Sequence, residues 1–286
     1  MFAAMTHART IDPAHRTSLA TRLFGAVLVL FVAALPLSAA RAGGTPAPAS
    51  VSILSGWRAD DGTHIAGIRV TLEPGWKTYW RSPGQAGLPP RFDWAGSDNV
   101  KAVEVRWPRP KIDRRNGLMT IGYVDEVVFP LVVHPERPGQ DVRLAVKMDF
   151  GVCEEICVPT TVRLSARLPA RATDHDPRIS AALAAQPVMS DVRPRCRISP
   201  IEGGLHMTLD VPEDRRVGPI ELAVLELGDP SLWISSMDVT EAGGRLLAAA
   251  DVYGSHEGPI VVDRSMVRLT LFGDDVVEFL GCAAGS

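Results

Sequence analysis

An excess of either charge is the first thing missing. Thirty Lys and Arg stand against 33 Asp and Glu, a formal net of −3. With no basic surplus to neutralise phosphates, nucleic-acid binding is set aside. Long apolar runs are scarce as well. Only residues 23–35 form one, and its 13 residues fall short of the ~20 that span a bilayer. Cysteine is sparse: four in 286 residues, too few for a disulfide-dense mini-protein. Metal-ligand spacings are missing, with no HxxxH and no second cysteine pair of ligand spacing. His64, His134, His175, His206 and His256 are scattered, with no Ser or carboxylate spacing that suggests a triad. Asp60-Asp61-Gly62 and Asp274-Asp275 lack the alternating oxygen ligands of a calcium loop and read as turns. No repeat relates the two halves. At 46% hydrophobic and 22% charged, the composition is globular and excludes disorder and collagen-like structure.

What is present begins with an export signal. Arg16 and Arg22 precede the apolar run; Pro36 and the small residues SAARA follow it. This predicts a secretory signal peptide over residues 1–42, cleaved after Ala42 in an A-x-A site. An uncleaved anchor is the alternative. Cleavage removes four arginines and one aspartate, so the mature chain is more acidic. The expected compartment lies beyond the export step and is oxidising enough for disulfides to persist.

Length predicts about two domains. Residues 43–50 (GGTPAPAS) read as a flexible leader. Residues 63–72, 100–107, 127–133, 142–150 and 160–168 then show β-branched enrichment or strict alternation. Pro130 is expected to place the third of these at an edge or a bulge. About seven short strands in ~120 residues predict an all-β antiparallel sandwich over residues 43–170. Residues 171–190 read as a linker. Within it Asp176-Pro177 is an N-cap and first-turn signal for a short helix to Ala185. Strand patterns resume at 205–211, 220–227, 245–250, 266–272 and 276–280, predicting a smaller β-sandwich over 191–286. Trp94 and Trp107 read as core. The basic run at 111–115 (KIDRR) reads as a solvated loop or as a docking patch for an acidic partner face.

The cysteines divide unevenly. Cys153 and Cys157 are four apart; Cys196 and Cys282 bracket the second domain. Three connectivities are open, and pairing neighbours keeps each domain self-contained. By loop entropy a 196–282 bridge contributes about 4–5 kcal/mol and a 153–157 bridge only about 2. The first is a staple. The second holds little that a turn would not hold. Four extended residues span roughly 13 Å, and a disulfide needs Cα atoms within about 7 Å. Residues 153–157 therefore fold back on themselves. Three readings remain open: a reversible redox pair, a structural bridge, and a Cu(I) site with Met119 or Met148 adding sulfur. Glu154 and Glu155 between the cysteines disfavour a thiolate, which suits a carrier activated on docking. They also suit a simply solvated turn.

Five motifs then occur in one order: GWKTYWR at 75–81, WPRP at 107–110, Gly122-Tyr123, VFPL at 128–131 and DFGVCEEICVP at 149–159. Over residues 51–168 the chain resembles the N-terminal periplasmic domain of DsbD-type thiol:disulfide interchange proteins. It is closer to the branch associated with suppressor-of-copper-sensitivity protein B. That resemblance implies an immunoglobulin-like redox module in the periplasm, without cofactor or metal. It implies a relay of electrons between a thioredoxin-like protein or domain, fed by a membrane-embedded reductase on a separate chain, and oxidised periplasmic proteins. Cytochrome c biogenesis and copper tolerance are the settings it suggests. Cys153 and Cys157 correspond to the redox pair, with Cys157 forming the mixed disulfide. Tyr79 corresponds to an aromatic beside the pair, with Trp76 and Trp80 as shields. Residues 116–123 correspond to a cap loop, in which Leu118 and Met119 replace the usual aromatic and Tyr123 lines the site. Cys196 and Cys282 are left as a structural disulfide. Three residues lie between Cys153 and Cys157 where better-known members have five. The reading from another class is a non-catalytic periplasmic binding module for copper handling or assembly, with a structural bridge.

Overall fold

Alternating side chains give strands with one inward face, and two such faces close a core. The computed structural model describes residues 48–255 and 258–284, so the expected signal peptide lies outside the described residues. The first half builds β1 (Ala49–Arg58), β2 (His64–Leu72), β3 (Lys77–Gly84), β4 (Arg91–Asp93), β5 (Ala102–Val105), β6 (Lys111–Asp113), β7 (Thr120–Val124), β8 (Glu126–His134), β9 (Val142–Cys153) and β10 (Cys157–Leu168). One sheet runs β1–β2–β8–β5. The other runs β10–β9–β3–β7–β6, with β4 added on β9. Ile68, Trp80, Phe129, Leu131, Leu144 and Met148 fill the space between them and are fully buried. The fold is the expected immunoglobulin-like sandwich.

Pro130 departs from expectation. Its strand β8 is interior, flanked by β2 and β5. The Pro130 carbonyl accepts from the Arg106 N–H, one residue past the end of β5. In an antiparallel strand a residue's N–H and C=O point the same way. The missing donor therefore faces the end of β5, and the β2 ladder loses nothing.

The linker helix forms as its caps predict. In α1 (Pro177–Ala184) the Asp176 side chain accepts from the Arg178 N–H. Its buried Ile179 packs with Leu54, Trp57 and Val128. A Cβ on Gly67 would stand 3.1 Å from the Ile179 side chain, so the bare glycine admits the helix onto the sheet.

The second half forms β11 (Val188–Met189), β12 (Arg195–Ile201), β13 (Gly204–Pro212), β14 (Leu222–Glu226), β15 (Leu232–Ile234), β16 (Asp238–Ala242), β17 (Arg245–Gly254), β18 (Arg268–Phe272), β19 (Val276–Leu280) and β20 (Ala283–Ala284). Its sheets run β11–β19–β18–β14 and β15–β17–β13–β12–β20, with β16 on β17. Strands of two or three residues carry no periodicity, so β11, β15 and β20 do not show in the sequence; the longer β12 and β16 are not among the expected strands either. A Cys196–Cys282 disulfide, Cα atoms 5.6 Å apart, ties β12 to the residue before β20.

The two sandwiches share side chains. Phe272 and Val276 enter the first core. Trp80 meets Phe272 edge-on at 5.6 Å, and the Arg81 guanidinium lies 4.0 Å over the Trp80 ring. Arg81 donates to Glu226 at 2.9 Å and to Glu278 at 2.5 Å, and Arg268 takes the second Glu278 oxygen at 2.7 Å. Glu278 is buried, and a buried carboxylate is tolerable only when so paired.

One buried group gives the fold a pH limit. His64 is fully buried; its Nε2 donates to the Ser55 carbonyl at 2.6 Å, and Nδ1 has no partner among the described residues. Burial lowers its pKa below the ordinary histidine value of 6.5, opposed by the Ser55 bond and aided by Arg58. Between the lowered folded value and 6.5 only the unfolded chain is protonated. Stability is therefore full above 6.5 and falls as the pH drops through that window, by at most ~1.4 kcal/mol per unit. Urea midpoints at pH 7.5 and 5.5 are expected to differ in the wild type and to converge in His64→Gln.

Candidate functional site

The site is the tip of one hairpin. β9 and β10 pair antiparallel from Val142↔Leu168 to Cys153↔Cys157, so the two cysteines are the last rung. Cross-strand neighbours lie about 4.5–5.5 Å apart; these Cα atoms are 4.1 Å apart and the sulfurs are bonded. Residues 154–156 close the loop, with the Glu154 N–H bonded to the Ile156 carbonyl at 3.2 Å. The sulfurs differ in access. Cys153 is only 2% exposed, whereas Cys157 and its neighbour Ile156 face solvent. Alternation puts Val152, Phe150 and Met148 into the core and Cys153 on the outer face.

That outer face is furnished by β3. Lys77 pairs with Cys153, and Tyr79 follows two residues on, on the same side. The Tyr79 hydroxyl lies 3.3 Å from Cys157 Sγ. With the disulfide closed only the phenol carries a proton, so Tyr79 donates and sulfur accepts. Burial raises the Tyr79 pKa, the Asp113 carboxylate raises it further, and Arg115 opposes. The phenol therefore stays protonated at neutral pH.

Lys77 donates to Asp113 and to Thr120 Oγ1, each at 2.9 Å, and its ammonium stands 5.9 Å from the Tyr79 ring centroid. Arg115 holds the same Asp113 carboxylate at 2.8 Å. Burial works against ionisation of Asp113, but the hydrogen bonds from Lys77 and Arg115 outweigh it and hold its pKa below the usual carboxylate range.

Tyr79 is covered by residues 84–88. Gly87, at φ +123°, sits so close that a Cβ there would lie 2.4 Å from the ring. The Leu88 carbonyl accepts from the Gly151 N–H at 2.9 Å, and Thr78 Oγ1 donates to the Gly151 carbonyl at 2.9 Å. Gln85 ties this loop to the next one. Its N–H bonds the Met119 carbonyl at 2.9 Å and its side chain accepts from the Met119 N–H at 2.7 Å.

Of the residues expected at the site, the structure brings Tyr79 to the disulfide. Trp80, adjacent in sequence, points the other way into the core. Trp76 precedes β3, in a turn closed by its N–H on the Glu73 carbonyl, and packs partly buried against the first core. Tyr123 is buried in the core, its hydroxyl donating to the Pro108 carbonyl at 2.8 Å. Leu118 is exposed. Met119 lines a cleft of about 540 Å³ that also holds Trp233 and Met237 of the second sandwich. In this structure the cover over Tyr79 comes from residues 84–88 instead. Met148 faces the core, away from the cysteines, and no metal-ligand cluster exists among the described residues. The basic run is largely paired internally: Asp113 with Lys77 and Arg115, and Arg114 with Glu221. Sequence reasoning missed Lys77, Gln85, Gly87 and Asp113. The spacing GQAG at 84–87 was the signal that a close-fitting loop follows β3.

The cover has a direct test. Gly87→Ala adds a methyl where the Tyr79 ring already stands, on top of a left-handed backbone. Gly139→Ala, at φ +77° with nothing within 4 Å, carries the backbone strain alone. The expected loss is about 1 kcal/mol for Gly139→Ala and about 2–4 kcal/mol for Gly87→Ala. Only Gly87→Ala is expected to speed reduction of the 153–157 bridge by a small dithiol, followed by mass shift after alkylation.

The comparisons agree with this geometry. Residues 50–169 match the family model described as thiol:disulfide interchange protein DsbD, N-terminal. No curated protein matches the chain. The crystal structure of the N-terminal periplasmic domain of ScsB from Proteus mirabilis is similar at 23% identity, covering 85% of this chain and 97% of that one, with a TM-score of 0.57. It shares the fold through both sandwiches. The reduced N-terminal domain of Neisseria meningitidis DsbD matches 44% of this chain and 88% of its own, at 20% identity and a TM-score of 0.24, an overlap too poor to show a shared fold. Residues 50–169 are therefore a DsbD-type N-terminal domain, carrying at the tip of one hairpin the cysteine pair of a thiol–disulfide exchange module.

Proposed function

We propose that the chain is a periplasmic electron carrier, taking electrons from a thioredoxin-like partner and passing them to oxidised exported proteins through Cys153 and Cys157. One observation carries this reading: an exposed sulfur, Cys157, bonded to a buried one, Cys153, with the Tyr79 hydroxyl donating to the exposed sulfur. Attack on a disulfide needs access to a sulfur, and of the two cysteines Cys157 is the one that faces solvent.

The cycle balances as follows. A partner thiolate attacks Cys157 Sγ, the Cys153–Cys157 bond breaks, and Cys153 leaves as a thiolate that takes a proton. The partner's second thiolate attacks the partner sulfur of the mixed disulfide, which frees Cys157 and leaves the partner oxidised. Two electrons and two protons have then entered the chain. The Cys157 thiolate next attacks a client disulfide and forms a second mixed disulfide. Cys153, deprotonated, attacks Cys157 Sγ, restores the intramolecular bond and expels the client thiolate. Tyr79 assists wherever Cys157 bears negative charge, because a phenol donating to sulfur favours the thiolate. No helix among the described residues is long and apolar enough to cross a membrane. In this reading the electrons reach the thioredoxin-like partner through a membrane-embedded reductase.

The test is covalent trapping. Cys153→Ser, mixed with a single-cysteine thioredoxin-like protein whose remaining thiol is activated as a thionitrobenzoate mixed disulfide, is expected to accumulate a stable mixed disulfide through Cys157 as thionitrobenzoate leaves. Cys157→Ser is expected to give no adduct and no electron transfer. Equal transfer by both variants and the wild type refutes the mechanism. A bridge potential well below about −300 mV marks an inert staple and refutes it too.

A further inference from the structure

The polar cluster beside Tyr79 links β3, β6 and β7 and is partly buried, with Lys77 bonded to both Asp113 and Thr120. Lys77 lies opposite Cys153 in the sheet. Asp113 ends β6 and receives both Lys77 and Arg115. We propose that Lys77 and Asp113 are positioning residues of opposite sign for the Cys157 sulfur, the ammonium favouring its thiolate and the carboxylate disfavouring it, both acting at the Tyr79 hydroxyl. This rests on Cys157 being the exchanging sulfur and goes beyond it by naming what sets that sulfur's reactivity.

Three observations converge. The Tyr79 hydroxyl is 3.3 Å from Cys157 Sγ, so charges that act on the oxygen act on the sulfur beside it. Asp113 and Arg115 act on that phenol with opposite sign. The Lys77 ammonium is fixed 5.9 Å from the ring centroid by Asp113 and Thr120 and cannot swing away. Other charges face the pair from the hairpin loop, where Glu154 and Glu155 disfavour the thiolate. Glu154 is turned over Gly75, its Oε1 2.7 Å from where a Cβ would stand. Along the strands the next charged residues are Asp149, itself paired with Lys147, and Arg163. The fields of Lys77 and Arg115 thus oppose those of Asp113 and the acidic loop.

Opposite signs make the idea separable from a structural role. Breaking a structural ion pair from either side moves reactivity in one direction; removing charges of opposite sign moves it in two. The measurement is the pH profile of Cys157 alkylation by iodoacetamide in the reduced full chain, read by peptide mass. Lys77→Met is expected to slow alkylation at pH 7 about threefold, a rise of about half a pKa unit. Asp113→Asn is expected to speed it by a similar factor. Lys77→Arg keeps the charge and is expected to restore the wild-type profile. Arg115→Ala, on an exposed side chain that leaves packing intact, is expected to shift the profile in the Lys77→Met direction by less. Shifts of one sign in Lys77→Met and Asp113→Asn, or no shift in any variant, overturn the proposal. The titration needs no partner, so opposite shifts stand even where no mixed disulfide is trapped, and equal shifts leave the exchange reading untouched.

Discussion

Everything at this site depends on the register of one hairpin. The β9–β10 ladder runs unbroken from its open end to the cysteine rung. Every second residue of β9, from Val146 to Val152, is locked into the core. A slip of one residue would turn Cys153 inward and Val152 outward, an exchange the core does not permit. Two sulfurs are thereby held at bonding distance by packing that extends far from them. The bridge itself closes too small a loop to stabilise the fold much. The fold makes the bridge, and the bridge is free to open without unmaking the fold.

β3 joins that hairpin to the rest of the molecule. Lys77 and Tyr79 face the disulfide, Trp80 faces the core, and Arg81 reaches Glu226 and Glu278 of the second sandwich. Neighbouring residues thus serve three different surroundings. Burying Arg81 is costly, and two carboxylates outweigh that cost, so its pKa lies above the ordinary value. The second sandwich therefore fixes the strand that presents Tyr79. It is a brace as much as a neighbour, and its Phe272 and Val276 complete a core that the first sandwich alone would leave open.

Much of this was legible in the sequence, for a physical reason. Alternation reports which face of a strand is inward, so most of the long strands, the sandwich class and the helix capped by Asp176 were readable, whereas β1, β3 and β12 were not among the expected strands. Cysteine spacing set the geometry of the tip. What alternation cannot report is a second cover on the outer face. Tyr79 and Trp80 are both buried although they point in opposite directions, because residues 84–88 close over the side that a simple sandwich leaves wet. The partners of Asp113 were hidden for a related reason. A charged run reads as solvated until the fold shows that Lys77, 36 residues away, is its counterion. Pro130 misled because an interior strand accepts proline where its neighbour has already ended.

The asymmetry of the two sulfurs decides what kind of chemistry the tip can support. A thiolate that forms at buried Cys153 has little water to stabilise it, whereas one at Cys157 meets solvent and the Tyr79 hydroxyl. On the proposed cycle, mixed disulfides therefore collect on Cys157, and Cys153 reacts only with the sulfur beside it. Short-range order then replaces intrinsic reactivity. A sulfur held one rung away in a rigid ladder needs no depressed pKa to resolve a mixed disulfide, because its effective concentration is fixed by the sheet. The acidic hairpin loop is compatible with that design. It lowers attack by an unguided thiolate on the exposed sulfur, while a docked partner, already oriented, overcomes the same field by proximity.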